Sequence, residues 1–245
     1  MHRTRLIALV LTTALLAVGC SSFSLGPLDG LLGSGALDEA TVAAGLRDAL
    51  ETGTERATRR LSQPGSFSDD GRFRIELPSQ LDPMRQALGL AGMGQLFDDL
   101  EISMNHAAEN AAGEAVDVFV TAIANMSIRD AFEILQGPDD AATRYFERVT
   151  SDRLRRRFEP VIKETMEDVG VYATYSTLRA RYDAIPFSKP VAPNLETYLT
   201  DRTLSALFSV LAEEEASIRE DPAARTSALL RKVFGSPEAQ ARPGD

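Results

Sequence analysis

From Gly94 onward, apolar side chains recur at the spacing of one helix face, and no other feature constrains the fold of this chain as tightly. Phe97, Leu100, Met104, Ala108, Ala111, Ala115, Val118, Ala122 and Met126 form one stripe about eight turns long. A strand cannot carry such a stripe, because its faces alternate with a period of two. The small alanines imply a close helix crossing, and Gly113 is a natural place for a kink. The same period appears on both sides of this stretch. Upstream, Asp38 is a candidate N-cap for a helix carrying Val42, Leu46, Leu50, Gly53, Ala57 and Leu61, stopped by Gln63-Pro64-Gly65. Downstream, Ser127-Ile128-Arg129-Asp130 resembles a capping box and opens a short helix to Leu135. Asp139 can cap a helix through Tyr145, Phe146 and Val149, and Ser151 or Asp152 can start another that turns Leu154, Phe158, Ile162 and Met166 inward and closes at Gly170. Tyr172, Tyr175, Leu178 and Tyr182 carry the pattern to Ile185-Pro186. Asn194 caps a long helix through Ile218, and Pro222 breaks it and fits the first turn of a last helix ending at Gly235. Only Phe73, Ile75 and Leu77 alternate with polar neighbours, so at most a minor short β-ribbon is expected near 72–77. The expected fold class is all-α, a compact multi-helix domain.

The N-terminus reads as an address. His2, Arg3 and Arg5 precede a 13-residue apolar run, Leu6 to Val18, interrupted only by Thr12 and Thr13. The run is short of the roughly 20 residues a spanning helix needs and fits the apolar core of a signal peptide over residues 1–19. It ends in Ala17-Val18-Gly19-Cys20, which resembles the bacterial lipobox, and Cys20 is the only cysteine. A lone thiol in an exported chain calls for an explanation, and acylation (palmitate or a similar chain) of Cys20 after cleavage supplies one. No Asp follows Cys20, so in a cell with two membranes the expected address is the outer membrane, facing the periplasm. Residues 20–36 are rich in Gly, Ser and Leu and read as a tether reaching at most about 50 Å. Residues 37–235 hold the helical domain, and 236–245 read as a disordered tail.

Charge narrows the partners. The whole chain carries −10. Without the first 19 residues, 24 basic residues face 36 acidic ones, a net −12. Such a surface is repelled by nucleic acid and by bare anionic lipid, so neither is an expected partner. Chemistry is narrow as well. His106 is the one histidine left after the signal peptide, HExxH and Gly-Lys-Ser/Thr are missing, and neither a Cys/His metal site nor a phosphate loop is expected. No catalytic residue, cofactor or metal is assigned. Gly89, Gly92 and Gly94 have the wrong order for a dinucleotide fingerprint. Glu101, Asn105 and Glu109 recur at i, i+4 and i+8 and share one helix face at the edge of the apolar stripe, with Asp98 a turn earlier. This candidate polar face can be a structural seam paired with arginines such as Arg219 or Arg225, a ligand site, or a carboxylate pair for acid–base work. Glu213-Glu214-Glu215 reads as an exposed turn of helix, Arg153 to Arg157 as a solvated face, and Tyr172, Tyr175 and Tyr182 as core.

Several ordered segments point one way. They are Ala43-Ala44-Gly45-Leu46-Arg47-Asp48-Ala49-Leu50, Met104-Asn105-His106-Ala107-Ala108-Glu109, and Gly137 through Phe146. Ile185-Pro186, Ala212-Glu213-Glu214-Glu215, Ile218 through Thr226 and Lys232-Val233-Phe234-Gly235 follow. Together they resemble the bacterial family catalogued as domain of unknown function 4197. The resemblance runs from about Leu37 to Gly235 and implies a helical, usually exported domain with no assigned activity and no catalytic residues to carry over. Two functions fit the sequence. One is a membrane-tethered, non-catalytic binding or scaffold domain whose partner is an envelope protein, a polymer or a small ligand. The other is a carboxylate-dependent hydrolase acting on a cell-envelope polymer.

Overall fold

A computed structural model of the chain describes residues 38–69, 71–225 and 227–235. The signal-like segment 1–19, Cys20 and the rest of the tether to residue 36, and the tail 236–245 lie outside the described residues, as does Asp70 in the Asp69-Asp70-Gly71 turn.

Helix α1 spans Glu39–Leu61, and Asp38 caps it by accepting the N–H of Thr41 at 2.8 Å. Its expected face, Val42, Leu46, Leu50, Ala57 and Leu61, is buried. Residues 62–81 then run as turns, an extended stretch at 74–78 and a single 3-10 turn, Ser79–Leu81. No strand forms among the described residues. The alternation at Phe73, Ile75 and Leu77 nonetheless reports burial correctly, since these three are buried and Arg74 and Glu76 are exposed. What the stretch lacks is a second strand to pair with.

The sequence pattern passed over α2, Asp82–Leu90, whose signal is slight: Pro83 in its first turn, with Met84 and Leu88 buried four residues apart. The long stripe expected from Gly94 is realised as α3, Gly94–Gly113, and α4, Ala115–Ala124. Glu114 alone separates them, and its N–H still bonds to the carbonyl of Ala111 at 3.0 Å, so the stripe continues across the joint. Helix α5, Ile128–Leu135, opens with the expected capping box: the Ser127 hydroxyl accepts the Asp130 N–H, and the Asp130 carboxylate accepts the Ser127 N–H.

Three expectations about helix starts need correction. The N-cap position of the helix that begins at Ala141 falls on Asp140, one residue beyond the expected Asp139. Ser151 and Asp152 begin nothing, because α6 is one helix from Ala141 to Asp168. The Thr150 and Ser151 hydroxyls turn back to the carbonyls of Phe146 and Glu147 within it, which satisfies them without a break. Pro222 starts only a 3-10 turn, Pro222–Ala224, and the last helix, α9, is Ala228–Phe234. Between these lie α7, Val171–Asp183, and α8, Leu195–Glu220, the latter capped by Asn194 as expected. Gly170 separates α6 from α7 at φ 76°, a left-handed conformation that glycine adopts without the Cβ penalty.

Helices α3 and α8 pack on each other and on both α1 and α6 around the core, with α4 and α5 against α1, α9 on α1, and α2 and α7 against α3. Phe119 sits at the centre, edge-on to Phe146 at 5.3 Å and to Phe208 at 6.5 Å. Each ring buried in this way contributes about 1.5–3 kcal/mol from apolar area. No single helix among the described residues is long and apolar enough to cross a membrane.

Candidate functional site

The candidate polar face on α3 is buried. Glu101 is 3%, Asn105 1% and Glu109 4% exposed, and all three face the irregular stretch 66–75. The Asn105 carboxamide accepts the Ile75 N–H at 2.9 Å and donates to the Ile75 carbonyl at 2.8 Å, with a further bond to the Glu101 carbonyl at 2.8 Å. It therefore makes both bonds that a neighbouring strand would have made to Ile75. Glu101 takes the guanidinium of Arg74, with Nε at 2.7 Å and Nη2 at 2.6 Å. Glu109 accepts the N–H of Phe67 at 3.3 Å, with His106 Nδ1 3.5 Å from its other oxygen. The seam is paired, but not with the arginines the sequence offered. Arg74 lies in the adjoining stretch, whereas Arg219 and Arg225 are engaged elsewhere. A cavity of about 280 Å³ opens beside Glu101 and Asn105, bordered by Ser68, Asp69, Arg74 and Ile102.

Arg219 belongs to a second buried cluster that sequence reasoning missed. Glu215, read as part of an exposed acidic turn, is 8% exposed. Its carboxylate accepts the N–H groups of Ala142 and Thr143 at 2.9 and 2.8 Å and the Thr143 hydroxyl at 2.8 Å. It thus caps the N-terminus of α6 from another helix, while Asp140, at the N-cap position, makes no capping bond of its own. Arg219, one turn on, bonds Glu215 at 2.8 Å and donates to the Ile134 carbonyl at the end of α5 at 2.8 Å. A negative group meets a helix N-terminus and a positive group a helix C-terminus, each matching the local dipole. Arg225 closes α8 in the same manner, donating to the carbonyls of Ile218 and Arg219. The only sequence signal was the i, i+4 spacing of Glu215 and Arg219, which is common on solvated helices.

A groove of about 670 Å³ lies between the extended stretch and α8. Arg72, Arg74 and Glu76 border one side, and Tyr198, Arg202, Ser205, Ser209 and Glu213 the other. Glu213 receives Arg60 at 2.9 Å and pairs with Arg72. Burial opposes its negative charge, but the hydrogen bonds from Arg72 and Arg60 outweigh burial and hold its carboxyl below the usual range. The Arg72 guanidinium also stacks 4.4 Å over the Phe73 ring. Arg202 lies 5.3 Å over the Tyr198 ring, and among the described residues no carboxylate pairs with it. The Tyr198 hydroxyl spans the groove to the Glu76 carbonyl at 2.8 Å.

The remaining sequence candidates are dispersed. Asp98 is exposed and meets Arg85 at 3.3 Å. Glu214 meets Arg56 at 3.7 Å. Arg155 and Arg157 sit outward and pair with Asp201 and Glu114. Tyr172 and Tyr175 are half-buried and spend their hydroxyls on Glu196 and the Val191 carbonyl, while Tyr182 is core. No group of three or more metal-ligating side chains comes together among the described residues.

Residues 36–235 match the family described as protein of unknown function (DUF4197). No curated protein and no solved structure gives a significant match. The family match takes in every helix from α1 to α9, and the chain belongs to the DUF4197 family.

Proposed function

We propose that this protein is an envelope lipoprotein, cleaved before Cys20 and acylated there, whose helical domain binds a partner without catalysing a reaction. The observation that carries the binding reading is the groove beside residues 72–79. In a chain with a net charge of −10, this groove collects Arg72, Arg74 and Arg202 against Glu76 and Glu213, and Arg202 has no acid of its own among the described residues. An unpaired guanidinium resting on an aromatic ring is preorganised to meet an anionic group. Anchoring at Cys20 through residues 20–36 would hold that groove near the membrane, which fits a local partner in the envelope. The outer membrane, facing the periplasm, is the proposed address in a cell with two membranes.

The hydrolase alternative finds less support. Glu101 and Glu109 lie two helical turns apart on one face of α3 and do not oppose each other across a cleft, and the cavity beside Glu101 is not bordered by Glu109. Both are engaged, Glu101 by Arg74 and Glu109 by the Phe67 N–H.

Three measurements test the proposal. Cys20→Ser should release the protein from the membrane or block its maturation, and normal processing with continued membrane attachment would remove the lipoprotein reading. The full-length protein, presented with cell-wall fragments, lipids and peptides, should bind a ligand that a groove-filled Ser209→Trp variant does not. Release of a product, abolished by Glu101→Gln or Glu109→Gln, would make the protein an enzyme instead.

A further inference from the structure

The extended stretch is tied down along one side and, apart from a single bond, open along the other. In an extended chain both backbone polar groups of a residue point to the same side, and those of the next residue point to the opposite side. Both groups of Ile75 go to Asn105 on α3. Arg74 and Glu76 therefore turn theirs toward α8, and the bond from the Tyr198 hydroxyl to the Glu76 carbonyl marks that side. The Arg74 N–H, the Arg74 carbonyl and the Glu76 N–H have no hydrogen-bond partner among the described residues. They border the 670 Å³ groove, whose far wall carries Arg202, Ser205 and Ser209. An extended backbone with open donors and acceptors is a template for strand addition.

We propose that the groove takes an extended polypeptide segment of a partner protein, added as a strand beside Arg74 and reaching the Glu76 N–H at the Tyr198 bridge, with an acidic side chain of that segment meeting Arg202. The inference rests on the groove being the binding site and specifies what enters it. A backbone answers the open groups, because one strand residue supplies the donor and acceptor that Arg74 presents together. An acyl chain is poorly matched, since Phe73, Ile75, Leu77 and Ala206 are buried, Tyr198 is the one aromatic surface on the walls, and the exposed residues there are Arg, Glu and Ser. The acid follows from charge: Arg72 and Arg74 already hold Glu213 and Glu101, and Arg202 holds none among the described residues. The template is ordered before binding, pinned by Asn105 on one side and Tyr198 on the other, so little conformational entropy is lost on its side when a strand arrives.

The test uses the full-length protein and a displayed library of random peptides, counter-selected on Ser209→Trp. Ser205→Trp, also on the exposed groove wall, serves as a second blocked form, and circular dichroism checks that both fold. Enriched peptides should bind the unmodified protein at least about tenfold more tightly than either blocked form. N-methylation at the alternate amides facing Arg74 should weaken binding about tenfold, and methylation at the intervening amides should not. Arg202→Gln should weaken peptides with a required Asp or Glu and leave their Asn or Gln versions unchanged. Exchange of the Glu76 amide proton should slow on binding. Failure to enrich any peptide that distinguishes the unmodified protein from the blocked forms overturns the proposal. So does equal tolerance of N-methylation at every position. If cell-wall fragments or lipids bind in a Ser209-dependent way while peptides do not, the groove stands as the binding site and the peptide falls. If nothing binds there, both fall.

Discussion

Asn105 does for one residue what a neighbouring strand does along a ladder. Its carboxamide satisfies both backbone groups of Ile75 in a site that is 1% exposed, so its loss leaves a buried N–H and a buried carbonyl without partners. Each orphaned group costs about 1–3 kcal/mol. Asn105→Leu should therefore lower the Tm by about 5–15 °C, at roughly 2–4 °C per kcal/mol for a domain of this size; a shift under two degrees in a thermal melt would contradict this account. Glu109→Ala should cost less, about 1–3 kcal/mol, because the Phe67 N–H loses its one acceptor among the described residues. A drop of several degrees is expected, and an unchanged melting temperature would assign Glu109 to a ligand instead. The sequence showed that Glu101, Asn105 and Glu109 share a face at the edge of the apolar stripe, since that follows from helical spacing. It could not show that Arg74 and the backbone of residues 67–75 answer them, because which loop lies over a helix face is not a local property.

Among the helices, the Glu215–Arg219 pair joins three elements, capping the start of α6 and the end of α5 from one turn of α8. Breaking either partner strands a buried charge, at a cost of about 3–5 kcal/mol. Glu215→Leu and Arg219→Leu should each be strongly destabilising in urea denaturation, and the double variant should recover part of the loss, giving a coupling above about 1 kcal/mol. Additive single effects would show that the two side chains act independently. Recovery is expected to be partial, because the Ile134 carbonyl and the N-terminus of α6 also lose their partners. The misreading of Glu215 has a plain cause. Three consecutive glutamates look solvated, and only tertiary contact reveals that the third points at a helix N-terminus. The misreading of Ser151 and Asp152 is related, since a hydroxyl can cap a helix or fold back on the preceding turn, and Thr150 and Ser151 do the latter.

For the molecule as a whole, Glu213 ties the end of α1, the turn before the extended stretch and α8 together through Arg60 and Arg72. Its folded-state pKa is lowered, so its contribution is present above the ordinary glutamate range and is lost as pH falls through the folded value. Glu213→Gln should destabilise at pH 7 by no more than about 1 kcal/mol, since the pair is partly exposed and screened. The difference should fade in strong acid and in 1 M salt, as seen by denaturant titration. A difference that persists at low pH would assign the effect to packing. The sequence alone determined that the chain is helical and where most helices start and stop, because 3.6-residue periodicity, prolines, glycines and caps act over a few neighbouring residues. It also determined which face of most helices turns inward, α2 being the exception. Only the tertiary structure decided that residues 74–78 lie extended against a helix side chain instead of a second strand, that Glu215 is buried, and that a groove opens beside Arg202. Each of these depends on residues tens of positions apart meeting in space, and packing alone sets those meetings.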